Sequence, residues 1–231
     1  MPNKLAQVFE QIAAIARLPV VRLQFRMELN PPDVAKMHRY FTKPHPTYKV
    51  FGNKSVGAAL VDLRQFHNRE DYLQSLKGTY SAARHARKAR SKGYVVTEID
   101  RNDYIDDIYE INTSTNIRQG LPMDADYLAK KYHYPNDPNF KYFGVIAPCG
   151  KLMAYGDLGI YGNFAAFNRI IGVRNNDGIM HLLVTEIVCR MIESGNYEFL
   201  MYDTYFGASP GMKIFKKMLG FQPYRAKYSI T

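Results

Sequence analysis

Between Lys141 and Val173 three apolar runs follow one another with almost nothing between them, and no other stretch limits the possible folds as much. Lys141–Ala147, Leu152–Ile160 and Phe164–Val173 have strand length, and the links Pro148-Cys149-Gly150-Lys151 and Tyr161-Gly162-Asn163 carry turn chemistry. Connections this short leave room only for antiparallel neighbours. The flanks extend the pattern. Gly178–Ser194 reads as a long apolar helix, Phe199–Asp203 as a buried strand, Gly211–Leu219 as a helix and Phe221–Ile230 as a last strand. Upstream, Tyr94–Ile99 reads as a strand. Asn102–Asn112 reads as a helix with Ile105, Ile108, Tyr109 and Ile111 on one side, and Asp124–Tyr134 as a helix closed by Pro135. The order is β-α-α-β-β-β-α-β-α-β, which fits a mixed, mostly antiparallel sheet flanked by helices, an α/β (α+β) architecture.

The first 76 residues read as an α/β extension. It holds a helix over 4–17, an alternating strand over Val20–Leu29, a helix over Pro31–Phe41, a strand over Val56–Phe66 and a short helix over Arg69–Leu76. They are expected to pack on a main domain of residues 77–231, docked on its sheet or capping one side of it. No apolar run reaches the ~20 residues that span a bilayer, so no membrane partner is expected. Cys149 and Cys189 lie far apart without CxxC spacing. His38, His45, His67, His85 and His133 show no ligand spacing, so neither a disulfide framework nor a metal is expected. Met1-Pro2-Asn3-Lys4 has no charged-then-apolar leader, and a reducing cytoplasm is the expected setting. Thirty-one Lys and Arg against twenty-one Asp and Glu give +10, which favours an anionic partner. Much of the excess sits in Lys77, Arg84, Arg87, Lys88, Arg90 and Lys92, a stretch without a single acid. On a helix over Tyr80–Lys92, ended by Gly93, these cations have no acidic i,i+4 partner. Arg84, Arg87, Lys88 and Arg90 are therefore candidate contacts for an external anion, nucleic acid included.

Residues 94–231 in this order are similar to the GNAT superfamily of N-acyltransferases. Two motifs sharpen the resemblance: Arg84, Arg87-Lys88-Ala89 and Lys92-Gly93 resemble the basic helix of the FemAB-like branch, and Phe215-Lys216-Lys217-Met218-Leu219-Gly220-Phe221 resembles that branch's ending. The resemblance implies amide formation by direct attack of an acceptor amine on an activated acyl carbonyl. The donor is acyl-CoA, or aminoacyl-tRNA as in the FemAB-like enzymes, and no metal is needed. It also implies that the strands 164–173 and 199–203 part at their ends to hold the donor. The turn that should meet a pyrophosphate is Arg174-Asn175-Asn176-Asp177-Gly178, which with Gly172 and Ser209 forms the candidate donor site. Asp177 departs from the pattern, since a carboxylate repels a pyrophosphate yet is an ordinary helix cap. Lys216 agrees with the FemAB-like pattern.

Asp203, the first polar residue after Phe199-Leu200-Met201-Tyr202, is the preferred base or amine anchor; the plainer role is to cap a turn. Tyr205 is a candidate acid in a Gly/Ser/Pro loop that equally suits a structural turn. Asp157, inside an apolar strand, is a second base candidate if it faces inward. Ser114, Arg118, Tyr155 and Asn168 are candidate acceptor contacts. Cys149 and Cys189 have no obvious nucleophilic setting. A nucleic-acid-modifying acyltransferase, or a non-catalytic nucleic-acid-binding protein on a degenerate fold, are the alternatives.

Overall fold

The computed structural model describes residues 13, 15–46, 49–78, 81–118 and 121–231. The predicted helix over 4–17 lies mostly outside them, as does Tyr80.

Eight strands form one sheet. In chain order they are β1 (Val20–Phe25), β2 (Val56–Asp62), β3 (Val95–Glu98), β4 (Phe140–Ile146), β5 (Leu152–Ile160), β6 (Phe164–Gly172), β7 (Phe199–Thr204) and β8 (Gln222–Ile230). The helices are α1 (Pro31–Thr42), α2 (Arg69–Ser75), α3 (Ala82–Ser91), α4 (Ile105–Thr113), α5 (Ile179–Ser194) and α6 (Pro210–Met218). The spatial order is β1-β8-β2-β7-β6-β5-β4-β3. β4 to β6 form the antiparallel hairpins that the short links require, and β3 pairs antiparallel with β4 across a long connection that holds α4. Two pairings are parallel, β1 with β8 and β6 with β7. β2, from the N-terminal segment, separates β7 from β8.

Alternation along β7 divides the core in two. Leu200 and Tyr202 face a layer with α3 and α5, while Phe199 and Met201 face α1. On the first face the small residues Ala82, Ala86 and Ala89 recur at helical spacing and let α3 lie close against α5. On the second, fully buried Phe25 meets Phe41, Tyr161 and Phe164 at ring separations of 5.7, 5.5 and 5.0 Å. Burial of one such ring is worth roughly 2–3 kcal/mol. α4 covers the same face further along, over Leu152, Tyr155 and Ile171.

The predicted helix over 124–134 is one turn, Ala125–Leu128, and the chain then runs irregularly to β4. The Asn102 side chain explains this, accepting from the Tyr134 N–H at 2.9 Å and donating to the Tyr134 carbonyl at 3.0 Å. These bonds replace the helical ones, and the Tyr134 ring is buried beside the guanidinium of Arg101. Among the described residues no helix is long and apolar enough to cross a membrane.

Candidate functional site

β6 and β7 are paired over three positions only, Phe164–Phe199, Ala165–Leu200 and Ala166–Met201. Beyond Ala166 and Met201 they continue to Gly172 and Thr204 without pairing, leaving a slot between them. Irregularities in both strands accompany the divergence. Asp157 stands opposite Arg169 and Leu158 opposite Phe167, which leaves Asn168 as the extra residue of a bulge. On the edge of β7 away from the slot, Ala58 of β2 pairs with Thr204 and Leu60 with Met201, so Tyr202 and Asp203 together oppose Ala59. Asp203 has φ 54°, the one positive φ outside glycine among the described residues. Side chains other than glycine rarely adopt that conformation, and such strain collects where a side chain must be aimed.

Two cavities meet at the slot. A larger one of about 900 Å³ lies on the α1 face, lined by Asn168, Arg169 and Ile170 of β6 and by Met201, Tyr202 and Asp203 of β7. A smaller one of about 270 Å³ lies beside Gly172, Arg174, Met180, Met212 and Phe215. Met123 and Tyr202 belong to the walls of both. Asp203 is half-exposed and paired with Lys54, whose side chain is 15% exposed and lies 5.5 Å from the centre of the Tyr40 ring. The pair holds the carboxylate on the cavity wall.

Lys216 lies outside both cavity walls. It is buried and donates to the Thr204 carbonyl at 2.8 Å, so it fastens the end of β7 to α6. Burial lowers its ammonium to about 8, against the favourable charge of Asp203. Tyr205 is likewise a latch. Its hydroxyl donates to the Phe221 carbonyl at 2.6 Å, and burial pushes it up to about 12. Ser209 caps α6 by accepting from the Met212 N–H at 3.4 Å. Tyr155 is buried at 1% exposure, where its hydroxyl donates to Asn112 at 2.8 Å and secures α4. Ser114 donates to the Ile111 carbonyl at 2.7 Å and closes α4. Ile117–Arg118 pairs with Leu121–Pro122 in a two-residue ribbon, and the chain just after it brings Met123 to the slot.

Asp157 does face inward. Arg101 donates to its Oδ2 at 3.1 Å, both side chains being under a tenth exposed, while Oδ1 has no partner. Burial raises the Asp157 carboxyl above its usual range against the pull of Arg101 and Arg169. The Arg101 guanidinium lies 3.7 Å from the centre of the Tyr142 ring. The pair is a buried brace behind the cavity rather than part of its wall.

The candidate donor turn is closed by its own groups. Asn175 accepts from the Asp177 N–H at 3.1 Å, Arg174 donates to the Ile117 carbonyl at 2.9 Å, and Lys88 donates to the Asn176 carbonyl at 2.6 Å. Asp177 accepts from Lys92 and from the Tyr94 hydroxyl, and these bonds hold its carboxyl below the usual range. Gly178 has φ 86° and lies so close to α3 that a Cβ would come within 2.4 Å of the His85 carbonyl oxygen. The basic helix is therefore docked on this turn. Without acidic partners on their own helix, Arg90 donates to Glu186 of α5 at 2.6 Å and Lys88 to the backbone of the turn. Arg87 stays exposed.

Other cations line the larger cavity: Lys36, Arg39 and Lys43 on α1 and its C-terminal end, with Lys54 from the loop that follows. Sequence reasoning passed over them, although with Tyr40 they recur at i, i+3, i+4 and i+7 on one helical face. No group of three His, Cys, Asp or Glu able to hold a metal occurs among the described residues.

No family model matches the chain, and neither does any curated protein. Solved structures do. FemX aligns over 73% of this chain and 59% of its own length, with TM-score 0.56 and 11% identity. A conserved protein of unknown function from Bacteroides thetaiotaomicron aligns over 72% and 56%, with TM-score 0.51 and 17% identity. A tandem GNAT protein from the clavulanic acid biosynthesis pathway aligns over 84% and 55%, with TM-score 0.44 and 15% identity. This chain thus spans less than 60% of the length of each. Over about three quarters of its length the chain shares the fold of FemX.

Proposed function

We propose that this protein forms an amide by moving an activated acyl group onto an amine, with the donor threaded between β6 and β7. The loss of pairing after Ala166 and Met201 carries the reading. Along Phe167–Gly172 the backbone groups turned toward β7 have no strand to bond, and a linear donor rich in amides can take them up as a missing strand would. The smaller cavity, narrow between Met180, Met212 and Phe215, suits the arm of an acyl-CoA thioester. The larger cavity supplies the amine, with Asp203 on its wall. In the step itself the amine nitrogen attacks the thioester carbonyl carbon. The C–N bond forms as the C–S bond breaks, Asp203 takes the proton lost from nitrogen, and the departing thiolate is protonated by water. No thiol of the protein is required: Cys189 is buried and pushed up to about 12, and Cys149 lies in the exposed turn between β4 and β5.

A second reading, an aminoacyl-tRNA donor, is favoured by one observation: Asp177 and its partners close the turn where a pyrophosphate would sit. Release of free thiol from acetyl-CoA across a panel of primary amines tests the first reading. Thiol released in step with acylated amine supports it. Transfer from an aminoacyl ester with no thiol release from acetyl-CoA selects the second, and no transfer from either donor rejects both.

A further inference from the structure

We propose that the larger cavity is built for an amine that carries an anionic group, a phosphate or a carboxylate, at the end away from the nitrogen. The inference rests on the acyl-transfer reading only in placing the amine near Asp203; the anion site stands on its own observations. Lys36, Arg39 and Lys43 line the cavity, are exposed, and make no ion pair among the described residues. The contrast with α3 is direct, since Arg90 pairs with Glu186 and Lys92 with Asp177. Lys43 and Lys54 both approach the Tyr40 ring, at 4.9 and 5.5 Å from its centre. Asp203 neutralises Lys54, which leaves the Lys43 charge without a counter-ion in the described structure. Asp33, which accepts from Asn139 at 2.9 Å, and Asp124 line the same cavity, so its charges are mixed with cations in excess, and an anion entering it offsets that excess.

The cavity floor supplies a second observation. Tyr161 lines the cavity and is fully buried, yet its hydroxyl has no hydrogen-bond partner. The ring fits only because position 159 is glycine: a Cβ there would come within 2.3 Å of the hydroxyl oxygen. A buried hydroxyl without a partner is a cost that native proteins seldom keep, and a ligand that supplies the partner removes it. The acceptor is thus held at three kinds of contact. Its anion sits on the α1 cations, a polar group meets Tyr161, and its nitrogen lies by Asp203 at the slot.

Calorimetric titration of the whole protein, without donor, with phosphoethanolamine and with ethanolamine tests this. The expected result is binding about tenfold or more tighter for the phosphorylated amine, a preference that collapses in the Lys36→Ala/Lys43→Ala double variant. Tyr161→Phe is expected to leave the melting temperature of the unliganded protein unchanged or raised, and to weaken phosphoethanolamine binding several-fold. Equal binding of the two amines, or binding of neither, overturns the inference whether or not acyl transfer is seen. So does a preference that survives the double variant. A preference that depends on Lys36 and Lys43, alongside failure of every thiol-release assay, leaves the anion site standing and removes the acyl-transfer reading instead.

Discussion

Asp203 sits at a backbone angle that costs stability, on the wall of the larger cavity, and the two facts separate its roles. Asn tolerates the left-handed region and keeps the shape, so Asp203→Asn is expected to change folding stability by no more than about 1 kcal/mol. Turnover is expected to fall by roughly 10²-fold or more. Urea denaturation and thiol release measure the two effects on the same sample. Lys216 tests burial. Its folded-state value of about 8 lies below the ordinary lysine value of 10.5. Below pH 8 both folded and unfolded chains carry the proton and the folded state bears the full cost of a buried ammonium. Between about pH 8 and 10.5 the unfolded chain still holds the proton while the folded one has lost it, so raising pH stabilises the fold. Relative to Lys216→Met, the wild type is therefore expected to gain about 3 kcal/mol across that window, measured by denaturation at each pH. Asp203 was legible in the sequence because an acid directly after an apolar strand marks a strand end. Its partner Lys54 was not, since the contact spans 149 positions that only the sheet order brings together.

Among the elements, α3 shows what a sequence reading leaves out. Its run of cations without acids is genuine, but the count considered only partners on the same helix, and Glu186 and Asp177 arrive from α5 and the turn before it. The three alanines of its buried face were the better guide, because small residues on one stripe signal a helix that packs closely. That packing makes Gly178 critical. Gly178→Ala would place a methyl 2.4 Å from the His85 carbonyl oxygen at a φ of 86°, and it is expected to cost about 2 kcal/mol or more. The loss should appear as a lower denaturation midpoint and as faster hydrogen exchange along α3. The helix expected over 124–134 failed for the opposite reason. Its polar sequence carries no continuous apolar face, so the hydrogen bonds of Asn102 to Tyr134 decide the conformation.

For the molecule as a whole, the antiparallel run from β4 to β6 and the helix–strand–helix–strand succession after it were readable from periodicity and turn length. The position of β2 was not, because parallel or antiparallel insertion of a distant strand leaves no local signal. β2 bonds β7 on one side and β8 on the other, so residues 56–62 hold the C-terminal half of the sheet together. A fragment of residues 77–231 would expose long unpaired edges on both β7 and β8. It is expected to be aggregated or to unfold without a cooperative transition, where the whole chain unfolds cooperatively. A soluble fragment with a sharp melting transition would show that the N-terminal strands are dispensable. The slot itself is best interrogated by backbone hydrogen exchange with and without acetyl-CoA. A donor seated in the slot slows exchange in Phe167–Gly172, Tyr202–Tyr205 and the first turn of α5 and nowhere else; unchanged exchange in those segments, or protection that falls on α3 alone, would contradict that placement.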